Sequence, residues 1–251
     1  MEVIVLFAAI IGMLIGSFLN VCIYRLPKGQ SVITPRSHCT HCKTALGVCD
    51  LIPLFSCIVL KSRCRHCNNI FSPRYAFVEL FTGVLFSVCF ILVEPSIVLI
   101  KLLVSSCFLI VIAFIDYDYQ LILNKMLIWF ASTGLIINLY IGIVTILDMV
   151  IASVVGGGIL LLIAIITKGG IGGGDIKFVT ALGLWLGLKL TLLTIFLSFI
   201  IGGIGSVLLL AFKIKKRKDF IPFGPFIAIA AFISMLYGTE IISWYLETIV
   251  K

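Results

Sequence analysis

Apolar runs at roughly residues 3–24, 75–93, 97–115, 121–142, 147–167, 176–188, 190–212 and 221–246 leave this chain little length for a water-soluble core. About 20 apolar residues span the ~30 Å hydrocarbon layer of a bilayer as a helix. Only helices and closed barrels satisfy every backbone N–H and C=O there. Charged residues are 12% of the sequence, against about 25% in soluble domains, and the mean hydropathy is +1.25. The reading is an all-α polytopic membrane protein. The first run follows Glu2 and has no basic segment before it, so it reads as an uncleaved first span, not a signal peptide. No lipidation or retention motif stands out.

The net charge of +8 is concentrated in two places. Residues 25–74 hold Arg25, Lys28, Arg36, Lys43, Lys61, Arg63, Arg65 and Arg74 against a single acid, Asp50. Lys213, Lys215, Lys216, Arg217 and Lys218 form the second cluster, so thirteen of the nineteen basic residues lie in two loops. The positive-inside rule puts both loops on the cytoplasmic side. Anionic lipid already accounts for such juxtamembrane clusters, and nucleic acid is not expected as a partner. Two loops on one side require an even number of crossings between them. The stretch 178–212 decides the parity: its 35 residues are interrupted only by Lys189. As one helix it would be about 52 Å long, too long for one crossing. Two helices turning near Gly187-Leu188-Lys189 give about eight transmembrane helices and satisfy the charge rule. Residues 116–125, 168–177 and 213–219 then share the cytoplasmic face with loop 25–74, and both termini lie outside. The organisation expected is a first helix at 1–24, a cytoplasmic loop at 25–74 and a seven-helix core at 75–251. Glycines at 156–158 and 202–205 are read as points of close helix packing.

Gly169–Lys177, Gly-Gly-Ile-Gly-Gly-Gly-Asp-Ile-Lys, interrupts two apolar runs with five glycines in six residues. Each glycine costs about 1 kcal/mol relative to alanine inside a helix, so this segment reads as flexible, with Asp175 at its end. An acid at the edge of a membrane segment is a functional candidate, the plain alternative being a helix cap. The topology sets Asp116, which closes the third span, at the same membrane face. Two carboxylates brought close there cannot both ionise easily, and the pair is expected to share a proton near neutral pH. One member can then act as a base on water while the other protonates a peptide carbonyl. Asp118 is read as a backbone partner or cap for the span beginning at Leu121. Glu79, about one turn into the second span, needs a partner, and Arg74 or a loop lysine is near in sequence.

The loop at 25–74 carries Cys39-Thr-His-Cys42 and Cys64-Arg-His-Cys67, two Cys-x-x-Cys knuckles with 21 residues between Cys42 and Cys64. That spacing fits a zinc ribbon, in which four thiolates close a tetrahedral structural site. Zn2+ binding worth about 10–16 kcal/mol could fold a loop with little apolar core. His38, His41 and His66 are the alternative ligands. A redox role is disfavoured by the matched pair, and a cytoplasmic location argues against structural disulfides. Cys22, Cys49, Cys57, Cys89 and Cys107 read as small hydrophobes.

These residues resemble the type IV prepilin leader peptidase/N-methyltransferase family, a group of Gly-x-Gly-Asp aspartic peptidases (peptidase family A24), over nearly the whole chain. Gly16-Ser-Phe-Leu-Asn-Val-Cys-Ile-Tyr-Arg-Leu-Pro27 resembles the family's first-span signature, and the paired knuckles resemble its cytoplasmic zinc loop. Leu51-Ile-Pro53 and Arg74-Tyr75 through Glu79-Leu80 resemble that loop and its exit. Ile-Asp116 resembles the first catalytic motif, Gly172-Gly-Gly-Asp175-Ile-Lys177 the second, and Ile221-Pro-Phe-Gly-Pro225 the entry to the last span. The resemblance implies that Asp116 and Asp175 are catalytic, with Gly172, Gly174, Lys177, Arg74 and Glu79 in support. It implies Zn2+ on Cys39, Cys42, Cys64 and Cys67. It implies cleavage of prepilins or pseudopilins after a glycine at the cytoplasmic face of the plasma membrane, and methylation of the new N-terminus from S-adenosylmethionine. No glycine-rich cofactor fingerprint accompanies the methyltransferase expectation. Where many members have Leu-Pro-Asp after the first catalytic acid, this chain has Leu123-Asn124, and Asn124 is expected to cap the next helix. The short chain and basic loop look most like members serving competence pseudopili of Gram-positive bacteria. A presenilin-like protease of other single-span substrates is the nearest alternative, but has no use for paired knuckles. A transporter or scaffold would predict acids at mid-span, whereas Glu79, Asp116 and Asp175 all fall near cytoplasmic ends.

Overall fold

The computed structural model describes residues 2–35, 38–39, 41–45, 47, 63–70, 72–213 and 220–249. Seven α-helical elements are present among them: α1 Glu2–Arg25, α2 Arg74–Leu92, α3 Ile97–Tyr119, α4 Asn124–Ile141, α5 Ile146–Ile166, α6 Gly173–Ala211 and α7 Gly224–Ile249. The only bridge pairings among the described residues are two isolated ones in the cysteine loop. Six of these helices, all but α4, are long and apolar enough to cross a membrane. The expectations on Arg36, Cys49, Asp50, Leu51-Ile-Pro53, Cys57, Lys61, Lys215, Lys216, Arg217 and Lys218 lie outside the described residues.

The chain divides into two compact units, residues 1–107 and 108–251. In the first, α1 and α2 run antiparallel, because their glycines let the two backbones touch. A Cβ built on Gly12 would lie 2.8 Å from the Gly83 Cα, and one on Gly16 would lie 2.9 Å from the Glu79 Cα. Gly12 and Gly16 form a small-xxx-small ridge, whose close approach favours association between apolar helices. Glu79 therefore faces α1 and is half-buried. At the lower end of α1, Asn20 Nδ2 donates to the Tyr75 carbonyl (3.0 Å). Buried Arg25 donates from Nη1 to the Ser31 carbonyl (3.0 Å). Cys22 and Cys89 are buried as small apolar groups, in line with the expectation.

The second unit is organised around a break. Gly187 has φ +74° and ψ 175°, a conformation open essentially to glycine alone. In a straight helix, Val179 and Thr191 would be about 18 Å apart along the axis. Yet a Cβ on Gly156 of α5 would meet Thr191 at 2.8 Å, Val179 at 3.2 Å and Ile195 at 3.8 Å. The chain therefore folds back at Gly187, where the sequence placed a turn, and α6 consists of two arms, 173–186 and 188–211. Breaking a helix frees carbonyls before the break and N–H groups after it, and an apolar interior demands partners for both. Asn138 of α4 supplies the first, donating from Nδ2 to the carbonyls of Leu184 (2.6 Å) and Trp185 (3.1 Å). Asp148 of α5 supplies the second, its two carboxylate oxygens each accepting the Leu188 N–H at 3.3 Å.

Packing of the first arm follows from small residues. Gly183 lies against the Ser153 backbone and Gly157 against Thr180, while the Trp185 indole covers Gly134 and donates to the Phe130 carbonyl (2.8 Å). The Phe130 and Trp185 rings stack at 5.0 Å, and both side chains are fully buried. The second arm packs on α7, with Gly202 and Gly205 against Phe223 and Phe226. Close packing at 156, 157, 202 and 205 was expected; Gly158 and Gly203 meet open space instead.

Gly187→Ala forces a side chain into a glycine-only conformation and onto Asp148, at a cost of about 1–3 kcal/mol from the backbone alone. It should lower the Tm of the detergent-purified protein, whereas Gly158→Ala, in open space inside α5, should leave the Tm unchanged or raise it.

Candidate active site and metal centre

Asp116 lies in the last turn of α3, and the chain leaves that helix through Gln120. Gln120 sits in the left-handed region at φ 52° and donates its N–H to the Asp116 carbonyl (2.8 Å). The Asp116 side chain is 6% exposed. Its Oδ2 accepts the N–H of Gly224, 108 residues away at the start of α7 (2.9 Å). That is an N-terminal cap supplied from a distant helix, and the positive end of the α7 dipole faces a carboxylate. Pro225 follows and contributes no N–H of its own.

Asp175 is reached from the other direction. Helix α5 ends in a Schellman motif: Lys168 adopts φ 51° with its N–H on the Ile165 carbonyl (3.2 Å), and the Gly169 N–H returns to Ala164 (2.8 Å). Helix α6 then begins at Gly173, with Gly172 as its N-cap residue. The helix thus starts two glycines earlier than the flexible reading expects. Asp175 sits in the third position of its first turn, where a carboxylate complements the helix dipole. It too is 6% exposed, and its Oδ1 takes no hydrogen bond from the protein. The glycines make room: a Cβ on Gly172 would lie 3.1 Å from Asp175 Oδ2, and one on Gly174 would lie 3.0 Å from the Ile122 Cβ. Asp116 is near enough for its charge to act on Asp175. The two acids, 59 positions apart in the sequence, thus lie within electrostatic range of one another.

Several smaller expectations change. Asn124 does not cap α4; Leu123 is the N-cap residue, and Asn124 Oδ1 accepts from Lys177 Nζ (3.0 Å), tying α4 to the second turn of α6. Asp118 is exposed and cannot cap a helix at Leu121, because α4 begins at Asn124. Arg74 opens α2 and Glu79 lies in its second turn, both in the other unit. Gly224 was missed as a contact of Asp116, although Ile221-Pro-Phe-Gly-Pro225 marked the segment.

The cysteine loop forms two matching turns. The Cys39 N–H bonds to the Thr44 carbonyl and the Lys43 N–H to the Cys39 carbonyl, each at 2.9 Å. Cys64 with Asn69, and Asn68 with Cys64, repeat the pattern at 2.9 Å. Lys43 and Asn68 occupy equivalent left-handed positions, φ 57° and 56°. The four sulfurs of Cys39, Cys42, Cys64 and Cys67 lie within 4.8 Å of one another, with closest approaches of 3.8 Å and 3.9 Å. A zinc tetrahedron with Zn–S of about 2.3 Å has S···S edges of about 3.8 Å, so this donor set could hold the ion. His38, His41 and His66 are exposed and outside the cluster. Hydrogen bonds from Thr44 bring the Cys42 thiol down to about 6, and the backbone N–H groups of Cys67 and His66 lower Cys64. Although the Asn69 backbone favours its thiolate, Cys67 is pushed up to about 11 by desolvation and by its neighbouring sulfurs. A dication held among them would remove that repulsion and let all four ionise.

Residues 10–93 match the family described as Bacterial Peptidase A24 N-terminal domain, and residues 103–207 match the Type IV leader peptidase family. A prepilin leader peptidase/N-methyltransferase of Bacillus subtilis is 35% identical over 95% of this chain and 96% of its own length. Proteins of the same name from Aeromonas salmonicida (33% identical, 95% and 92% covered) and Legionella pneumophila (34% identical, 96% and 94% covered) are similarly related. No solved structure matches the chain. With a buried acid in the last turn of α3 and another in the first turn of α6, a four-cysteine cluster, and relatives similar from end to end, the chain is a member of the type IV leader peptidase family.

Proposed function

We propose that this protein is a prepilin leader peptidase: it cleaves the leader of prepilin-like proteins after a glycine at the cytoplasmic face of the plasma membrane and N-methylates the new terminus. The observation that carries this reading is the pairing of two buried carboxylates, Asp116 and Asp175, one of which presents an oxygen without a protein partner. The two share one proton. The charged carboxylate takes a proton from water, the resulting hydroxide oxygen bonds to the scissile carbonyl carbon, and the carboxylic acid passes its proton to the carbonyl oxygen. Collapse of the tetrahedral intermediate breaks the C–N bond: the departing nitrogen takes up the proton gained by the first carboxylate, and one hydroxyl of the intermediate returns its proton to the second, which restores the singly protonated pair. Gly172 leaves room for the Asp175 carboxylate and Gly174 for Ile122, and Lys177 holds α4 to the site through Asn124.

Cys39, Cys42, Cys64 and Cys67 would hold Zn2+, which would supply structural cross-linking of the loop. S-adenosylmethionine supplies the methyl group; no residue of this chain is assigned to it. The proposed topology has eight crossings, with the helix at 1–24, the loop at 25–74 and the core at 75–251, and on the charge rule the cysteine loop and both acids belong to the cytoplasmic side. Arg74 and Glu79 support the exit from that loop. Pseudopilins of a Gram-positive competence system are the substrates that the short chain and basic loop favour.

In proteoliposomes with a prepilin substrate, Asp116→Ala and Asp175→Ala should each reduce cleavage at least 1,000-fold, on the order of the loss when one member of a catalytic unit is removed. Membrane insertion should be intact, and cleavage by either variant would refute the assignment. Cys39→Ser should lower bound zinc, measured by elemental analysis, and impair methylation more than proteolysis. Equal loss of both activities would make the loop a folding element only.

A further inference from the structure

We infer that Gly224 is a positioning residue for the reaction: its backbone N–H holds Asp116 Oδ2 and turns the other carboxylate oxygen toward Asp175 and the scissile bond. This rests on the reading that Asp116 is catalytic.

The two acids are not held alike. Asp175 is fixed by its own helix, three residues after the N-cap residue, and its Oδ1 receives no protein donor. Asp116 comes from the last turn of α3, where its own helix has only carbonyls to offer. Its donor must come from elsewhere, and the Gly224 N–H at 2.9 Å is the hydrogen bond seen on its side chain. That N–H is one of the first of α7 and has no acceptor within its own helix. Because Asp116 is buried, losing this donor leaves a carboxylate oxygen with neither protein nor bulk water. The glycine is needed as well as the amide. A methyl group built on Gly224 would sit 2.7 Å from Asp116 Oδ2 and 3.1 Å from Cγ, so any side chain here displaces the carboxylate. The residue acts through Asp116, and a carboxylate moved by about 1 Å from its working position can cost on the order of 100-fold in rate.

The test compares Gly224→Ala with Asp116→Ala and Gly205→Ala, using a peptide that spans a leader and its following apolar segment. Gly205→Ala crowds Phe226, two residues further along α7, and leaves Asp116 untouched. Gly224→Ala should lower kcat 10- to 100-fold with KM within twofold, while Gly205→Ala keeps kcat within threefold at a comparable loss of Tm. Exchanging the Phe223–Gly224 amide for an ester, which removes the donor and keeps the shape, should lower kcat about 10-fold; it also decides the matter if Gly224→Ala fails to fold. An unchanged kcat in the ester overturns the inference, as does an equal kcat loss in Gly224→Ala and Gly205→Ala. If Asp116→Ala itself still cuts, the underlying catalytic reading has failed instead.

Discussion

A carboxylate taken out of water must be given donors, a counter-charge or a proton. Asp116 and Asp175 are each 94% removed from solvent, and the second unit is arranged to make that tolerable. Each acid sits against the N-terminal end of a helix: Asp175 in the first turn of α6, Asp116 against the first N–H of α7. Helix N-termini carry unpaired N–H groups and partial positive charge, the resource a membrane protein can offer an acid without burying a cation. Two such ends must then point at one place. That requirement fixes where α6 begins, where α7 begins and where α3 must stop.

The fold-back at Gly187 meets a second demand of the same kind. The first arm of α6 must begin at Asp175, and the chain must return to start α7 against Asp116. Reversal at Gly187 within apolar surroundings exposes backbone groups, and Asn138 and Asp148 satisfy them from opposite sides of the break. The two polar side chains stabilise the turn, and the turn sets the distance between the arms. Glycines along α5 and the first arm bring those helices close enough for Asp148 to reach Leu188.

Much of this was legible because it is local. Hydropathy gave the helices, cysteine spacing the four-sulfur cluster, and helix length against bilayer thickness the turn at Gly187. Counting crossings set Asp116 and Asp175 at one membrane face, an argument about sides of a membrane that needs no distances. What the sequence did not disclose is the set of contacts between elements far apart in the chain. Nothing local to Gly224 says that it touches a side chain 108 residues earlier. Nothing in the sequence singles out Asn138 or Asp148, since their partners are backbone groups that carry no sequence signal. Asn124 was misread for a related reason: it is a good cap by type, but Lys177 from another helix claims its carbonyl oxygen. The ridge of Gly12 and Gly16 against Gly83 was visible as glycines, and only the partner made it a packing site.

The central claim is that Asp116 and Asp175 converge on one reacting carbonyl. A substrate peptide whose scissile amide is replaced by a hydroxyethylene group mimics the tetrahedral intermediate and needs no turnover to report on the site. Its affinity for the protein in nanodiscs, measured by calorimetry, should fall at least 100-fold in Asp116→Asn and equally in Asp175→Asn, with the parent peptide's affinity little changed. Undiminished binding of the analogue by either variant would show that the two carboxylates do not act on the same atom, and would contradict the account.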